Sequence, residues 1–211
     1  MYRHLFWDLG GTLVDTYPAL DSAFTAVVSA HGGSVEVTEV ARLTRHSTGV
    51  AVAELSARFG IEPAAFERAN AELKQLWKTQ PPPAMTGAAA LLDDVRAAGG
   101  LNLVVTHRDR ASALTLLEGL GLRVDDLVSA VDGYPRKPDP TMYRVLLGRH
   151  GLDPNECLAV GDRPIDATAA HQAGIRAAML ESPEAPVDDD AEYSVATLDE
   201  LRPLLGLSPR M

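Results

Sequence analysis

The chain has 211 residues, 46% of them apolar and 23% charged, and a formal charge of −10. That is room for one domain with a sizeable insertion, in the ordinary composition of a globular protein. The negative charge repels nucleic acid and anionic membranes at long range, and no run of about 18 apolar residues marks a transmembrane helix, so neither partner is expected.

The first residues, MYRHLFWDLGGT, lack the long apolar stretch and small-residue cleavage site of a secretion signal. Residues 4–8 form a short apolar run that stops at Gly10-Gly11, the pattern of a buried strand ended by a turn. Residues 17–80 read as helical. Leu20, Phe24, Val27 and Val28 fall at helical spacing, as do Val52, Leu55 and Phe59, then Phe66, Leu73, Leu76 and Trp77. Gly32-Gly33 and residues 60–63 separate these pieces, and Gln80-Pro81-Pro82-Pro83 is a stiff boundary.

Beyond it, helical and apolar segments alternate. A helix at 87–98 precedes a strand at 101–106, and one at about 110–120 precedes a strand at 127–131. A helix at about 141–150 leads to a strand at 157–161, and one at about 165–173 to a strand at 175–180. A short strand at 193–196 and a helix at 198–205 close the pattern. The acidic run at 188–190 reads as a solvated loop. The one cysteine, Cys157, lies in an apolar strand and reads as a buried small hydrophobe. A single cysteine makes no internal disulfide, and the reducing cytoplasm is its natural compartment.

Alternating strands and helices imply an α/β fold with a parallel sheet covered on both faces. The first strand belongs to that sheet, so the helical segment is an insertion after it. Ligands of open parallel sheets bind beyond the carboxyl ends of the strands. The polar residues at those ends are Asp8, Thr106-His107, Asp132 and Gly161-Asp162, with Asp166 four residues further on.

Asp8, Asp162 and Asp166 converge if their strands are neighbours. Three carboxylates cannot share a small space at neutral pH without a cation, because like charges raise one another's pKa. An all-oxygen donor set suits magnesium. Thr106 precedes a helix, where its hydroxyl and nearby backbone N–H groups can hold a phosphate oxygen or cap the helix. Lys137 sits in Pro-Arg-Lys-Pro-Asp-Pro, in a chain with sixteen arginines and only two other lysines, Lys74 and Lys78. A lysine there can neutralise an aspartate and a phosphate as a compact point charge.

These residues carry a resemblance. Asp8-Leu9-Gly10-Gly11-Thr12 resembles the first motif of the haloacid dehalogenase superfamily, whose phosphatases read aspartate, any residue, aspartate, glycine, threonine. Thr106 matches the second motif, Lys137 the third, and Gly161-Asp162-Arg163-Pro164-Ile165-Asp166 the fourth. The order and spacing fit over almost the whole chain, and the insertion is similar to the small α-helical cap of the phosphoglycolate phosphatase-like branch. The resemblance implies a Rossmann-like core from residues 1–15 and 85–211, with a helical cap from 16–84. It implies a hydrolase of small phosphorylated metabolites in which Asp8 attacks phosphorus to form an aspartyl-phosphate. Magnesium would be held by Asp8, the carbonyl of Gly10, Asp162 and Asp166. Thr106 and Lys137 would hold the phosphoryl group, with Gly11, Thr12 and His107 at the substrate. In the cap, Arg45, His46 and Thr48 are the expected substrate-facing residues.

The departure is Gly10. Phosphatases of this kind carry there the aspartate that protonates the leaving group and then activates water, and glycine has no side chain to do either. His107 or His46 could act instead, whereas Asp15, though close, stands where the family motif often has an acid too and so is no compensation; or the substrate could have a good leaving group, such as an acyl phosphate. Two further readings differ in kind. One is a carbon–phosphorus hydrolase, whose relatives use a cap lysine as Schiff base. Here the cap offers only Lys74 and Lys78, which read as exposed helix residues. The other is a non-catalytic binding protein that kept the fold and the metal site.

Overall fold

The structure, a computed structural model, describes residues 1–182, 184 and 190–209. Asp188 and Asp189 of the acidic run lie outside the described residues.

Six parallel strands form one sheet: β1 (His4–Trp7), β2 (Asn102–Thr106), β3 (Asp126–Ser129), β4 (Cys157–Gly161), β5 (Arg176–Leu180) and β6 (Tyr193–Val195). Their order is β3-β2-β1-β4-β5-β6, so the first strand lies at the centre. The fold class is therefore α/β with a Rossmann-like parallel sheet. The inner strands β1, β2 and β4 are buried along their whole length, as continuous apolar runs between two helical layers must be.

Four helices follow β1: α1 (Tyr17–Ala30), α2 (Val37–His46), α3 (Thr48–Phe59) and α4 (Pro63–Leu76). The sequence marks breaks at Gly32-Gly33 and residues 60–63; the structure adds one at Ser47. Ser47 has extended backbone, and its Oγ accepts from the Val50 N–H at 3.0 Å, ending α2 and capping α3. Leu76 and Trp77 do not share a core face. α4 ends at Leu76, which is exposed, while Trp77 is buried. The four helices enclose their own apolar cluster, centred on Phe24, Leu55 and Phe66. The segments that leave and rejoin the sheet are tied together: Asp15 donates to Pro83 and Met85 to Leu13, both at 2.9 Å.

The remaining helices are α5 (Ala88–Ala97), α6 (Arg110–Gly119), α7 (Thr141–His150) and α8 (Pro164–Gln172). They alternate with the strands, and two apolar clusters line the sheet. Two segments differ from expectation. β3 ends at Ser129, and residues 130–132 wind into a 3₁₀ turn because Ser129 Oγ accepts from Val131 N–H and Asp132 accepts from Ser129 N–H. Val131 is consequently exposed instead of lying in a strand. Leu198–Leu205 is helical but 3₁₀-wound, with Pro203 inside it, which has no N–H for an α-helical bond. Among the described residues no helix is long and apolar enough to cross a membrane.

Candidate functional site

The register of the sheet explains why distant residues meet. β1 pairs with β4 so that Trp7 lies opposite Val160, and with β2 so that Trp7 lies opposite Val104. Asp8, Thr106 and Asp162 therefore emerge at the same carboxyl edge, and Asp8 N–H still donates to Val160 at 2.9 Å. Asp166 joins them from the first turn of α8, where its carboxylate accepts from the Arg163 N–H at 3.1 Å. Asp132, also expected at this edge, is drawn away. It pairs with Arg110 at 2.7 Å on the exposed side of α6.

Lys137 closes the cluster. Its buried Nζ lies 2.5 Å from Asp8 Oδ1 and 2.5 Å from Asp166 Oδ1, and it donates to the Val105 carbonyl at 3.0 Å. Burial disfavours the ammonium, but Asp166 and Asp8 outweigh it and hold Lys137 above the usual lysine range. Burial also works against the Asp166 carboxylate, yet Lys137 and Arg163 hold it below the usual range. Asp162 makes no ion pair among the described residues and feels the weaker pull of Arg163. Burial, then the charges of Asp8 and Asp166, push it up to about 7. Burial likewise raises Asp8 despite the adjacent ammonium.

Asp8, Asp162 and Asp166 each offer an oxygen, all within 4.8 Å of one another. A carboxylate pushed toward neutrality by burial and by two other carboxylates is a site that a divalent cation would relieve, and the donors are all oxygen, as magnesium prefers. The residues present fit that ion.

The turn after β1 is compact: Leu13 and Val14 both donate to the Leu9 carbonyl, at 3.0 and 2.9 Å. Gly11 has φ 92°, and a Cβ there would strike the Tyr17 ring and the Asp162 carboxylate. Glycine is thus required for Tyr17 to lie across the turn and donate from its hydroxyl to Asp162 Oδ2 at 2.7 Å. Thr12 donates to Asp162 Oδ1 at 3.0 Å, and Gly11 N–H to Val14 at 2.8 Å. Their polar groups are committed inward, so Gly11 and Thr12 do not line the cleft as expected of substrate contacts; they orient Asp162 instead. Gly10 does line it, and the side chain facing its empty Cβ position is Thr16, with Oγ1 3.0 Å away.

Above the sheet edge is a cleft of about 790 Å³ between the core and the four-helix segment. Asp8, Thr106, His107 and Lys137 line it from one side, and His46 and Thr48 from the other. Arg45 is not there. Its guanidinium stacks 3.8 Å over the Tyr17 ring and pairs with buried Asp21 at 3.0 Å, so it braces the helices and does not face a substrate. His107 accepts the Lys137 backbone N–H on Nε2 at 2.8 Å. Burial, followed by the charge of Lys137, pushes its pKa down to about 3, which makes it a fixed acceptor and a poor proton carrier near neutrality. Lys78 is exposed as expected, whereas Lys74 is half-buried and lines the cleft. Buried Cys157 is far from this chemistry, its Sγ donating to Asp153 and its thiol pushed by burial up to about 12.

The sequence reading did not single out Tyr17, Arg108 or Arg163 as site residues, yet all three line the cleft. Arg163 stands between Asp162 and Asp166 in the chain, and its guanidinium is attracted to Asp8 and Asp166. Its place directly after a strand-end aspartate was the available signal.

Comparison with known proteins places the chain. A family model for hydrolases, described as haloacid dehalogenase-like hydrolase, matches residues 2–174. A phosphoglycolate phosphatase of Rhodospirillum rubrum is 31% identical over 193 residues, covering 85% of this chain and 80% of that one. Hexitol phosphatase A of Escherichia coli is 26% identical over 211 residues, covering 94% and 93%. Among solved structures, a hydrolase of the same family from Deinococcus radiodurans, with bound phosphate and sodium, superposes with a TM-score of 0.81 at 23% identity. It covers 99% of each chain.

Proposed function

The chain belongs to the haloacid dehalogenase-like hydrolase family, in its phosphoglycolate phosphatase-like branch, and we propose that it hydrolyses small phosphate monoesters through nucleophilic Asp8. The observation that carries this reading is the buried triad of Asp8, Lys137 and Asp166 opening onto a cleft, with Asp162 alongside.

Asp8 attacks phosphorus, an Asp8 oxygen–phosphorus bond forms, and the bond to the leaving oxygen breaks. Water then attacks the aspartyl-phosphate and releases inorganic phosphate, regenerating Asp8. Lys137 neutralises Asp8 and the arriving phosphoryl oxygens, and Thr106, lining the cleft next to it, is a hydroxyl donor for one of them. A magnesium ion, when bound, would be held by Asp8, Asp162, Asp166 and the Gly10 carbonyl, and would supply charge neutralisation of the phosphoryl group. Tyr17 and Thr12 keep both oxygens of Asp162 oriented. We take residues 16–84 as a cap whose closure excludes water, and His46 and Thr48 as its contributions to the cleft.

Gly10 sets the character of this activity. No side chain there can give or take a proton, and Thr16, packed against the vacant position, is too weak an acid to replace a carboxyl group. With no acid at position 10, the leaving group departs with less help from protonation. Aryl esters and acyl phosphates are therefore the good substrates and simple alkyl phosphates the poor ones.

Purified protein with magnesium is given p-nitrophenyl phosphate, an acyl phosphate and alkyl phosphates, with Asp8→Asn as control. Phosphate release that disappears in Asp8→Asn supports the proposal. Release from none of them, with the ion still bound, makes the protein a binding module. One observation favours a second reading. Lys74 lies in the cleft, and burial followed by Arg108 lowers its pKa, as suits an imine-forming amine. Borohydride trapping of phosphonoacetaldehyde on Lys74 would test an imine-forming lysine, and release of inorganic phosphate from phosphonoacetaldehyde that is lost in Lys74→Met would be needed for carbon–phosphorus cleavage.

A further inference from the structure

Tyr17 carries a contact from the helical segment into the carboxylate cluster. It opens α1, and its hydroxyl donates to Asp162 Oδ2 at 2.7 Å. Asp21 lies four residues on, so it shares a face of α1 with Tyr17. Arg45, in the last turn of α2, spans the two. Its guanidinium lies 3.8 Å over the Tyr17 ring, and Nη1 donates to Asp21 Oδ2 at 3.0 Å. Thr44 donates to the other Asp21 oxygen at 2.6 Å. The ring is thus held on its face by Arg45 and at its edge by the turn, where a Cβ on Gly11 would strike Cε2.

Stability alone does not account for this arrangement. Asp21 and Arg45 are both buried, and a buried ion pair repays its desolvation only when the remaining polar groups are satisfied. Arg45 Nε is buried with no hydrogen-bond partner among the described residues. Apolar residues of similar volume would join α1 to α2 as well or better. What they would not supply is a flat cation, anchored at one end, lying over an aromatic face. The hydroxyl stands at the far end of that ring, so a small tilt of the ring takes it out of hydrogen-bonding range of Asp162.

We propose that Arg45, anchored by Asp21, is a positioning residue for Asp162, acting through the Tyr17 ring. This rests on Asp162 holding magnesium in the phosphatase reading, and it gives Arg45 a role away from the substrate. It also ties the ion site to the seating of α1 and α2, because the donor that aims Asp162 belongs to the helical segment.

The test removes the pair without stranding a buried charge, by combining Asp21→Leu with Arg45→Met. Magnesium binding is measured by calorimetry without substrate, stability by denaturant unfolding, and the Asp162 carboxyl by carbon NMR, assigned with Asp162→Asn. The combined variant should keep its unfolding midpoint and bind magnesium about three- to tenfold more weakly. Its Asp162 signal should move in the direction that Tyr17→Phe moves it. In Tyr17→Phe protein the same pair of substitutions should change magnesium binding by less than about twofold, which a merely structural role would not produce. Magnesium binding and an Asp162 signal both unmoved by the combined variant overturn the proposal, as does a loss of equal size with and without the Tyr17 hydroxyl. Should the combined variant not fold, Arg45→Lys takes its place: it keeps a charge beside Asp21 without the flat stack, and magnesium binding as tight as the parent's overturns the proposal. If the parent binds no magnesium, the metal reading fails by itself, and the Asp162 signal still decides whether Arg45 acts through Tyr17.

Discussion

Restoring an aspartate at position 10 probes the proposed chemistry most directly. Gly10 is not among the glycines in the left-handed region, so an L side chain meets no backbone strain there. A Cβ would lie 3.0 Å from Thr16 Oγ1, a few tenths of an ångström too close. Thr16 precedes α1 but makes no side-chain cap bond, so its side chain can rotate without uncapping the helix. Fitting the new side chain should cost about 1–3 kcal/mol of stability at most. Against this, general acid–base catalysis is worth about 10²–10⁴-fold, or about 2.7–5.4 kcal/mol of barrier. Gly10→Asp should thus speed hydrolysis of alkyl phosphates by about 10²-fold or more. p-Nitrophenyl phosphate, whose leaving group needs little protonation, should gain far less. Across a series of esters, the dependence of kcat/KM on leaving-group pKa should flatten. Gly10→Asp combined with Thr16→Ala removes the crowding and should show the same flattening. If both variants fold, bind magnesium and keep the steep dependence of the parent, proton transfer at position 10 is not what limits this protein.

Three other outcomes follow from the geometry. Lys137→Met leaves Asp8 and Asp166 buried without their shared cation, which should cost about 3–5 kcal/mol in denaturant unfolding. Adding Asp8→Asn should recover part of that loss, and strict additivity would contradict a shared ion pair. His107, held near 3, resists protonation in the folded state while the unfolded chain takes up a proton near the ordinary value of 6.5. Its contribution to stability is therefore intact above about 6.5 and lost progressively as pH falls toward 3. Imidazole NMR should show a neutral ring at pH 5, and a titration near 6.5 would refute the burial argument. Tyr17→Phe removes the 2.7 Å donor to Asp162 and should weaken magnesium binding about tenfold by calorimetry; unchanged affinity would show that Tyr17 does not orient that carboxylate.

What the sequence disclosed depended on how local the cause was. Residues 141–150 and 157–161 are a helix and a strand with the bounds their periodicity suggests. Ser47 and Ser129 are different. Each ends an element through one hydroxyl bond, and a serine amid apolar spacing carries too little signal to announce it. Asp8, Thr106, Asp162 and Asp166 could be expected together because chain order in a parallel sheet already brings their strand ends to one edge. Partner choice could not be read. Arg45 had several acids within reach in sequence terms, and packing against Tyr17 gave it Asp21. Gly11 and Thr12 lie in the first motif, but the turn they build consumes their polar groups. Lys74 looked like an exposed helix residue because helical periodicity does not reveal which face of an inserted helix looks back at the sheet edge.

Charge explains why these features belong to one molecule. A protein of net charge −10 repels any phosphate ester at a distance, so attraction must be local. Lys137 and Arg163 are spent against Asp8 and Asp166, and the carboxylate cluster as a whole still calls for a cation. Lys74, Arg108 and Arg136 are then the cleft-lining positive charge without an ion pair among the described residues. With glycine at position 10, that position cannot lower the barrier by proton transfer, and positioning and charge carry more of it.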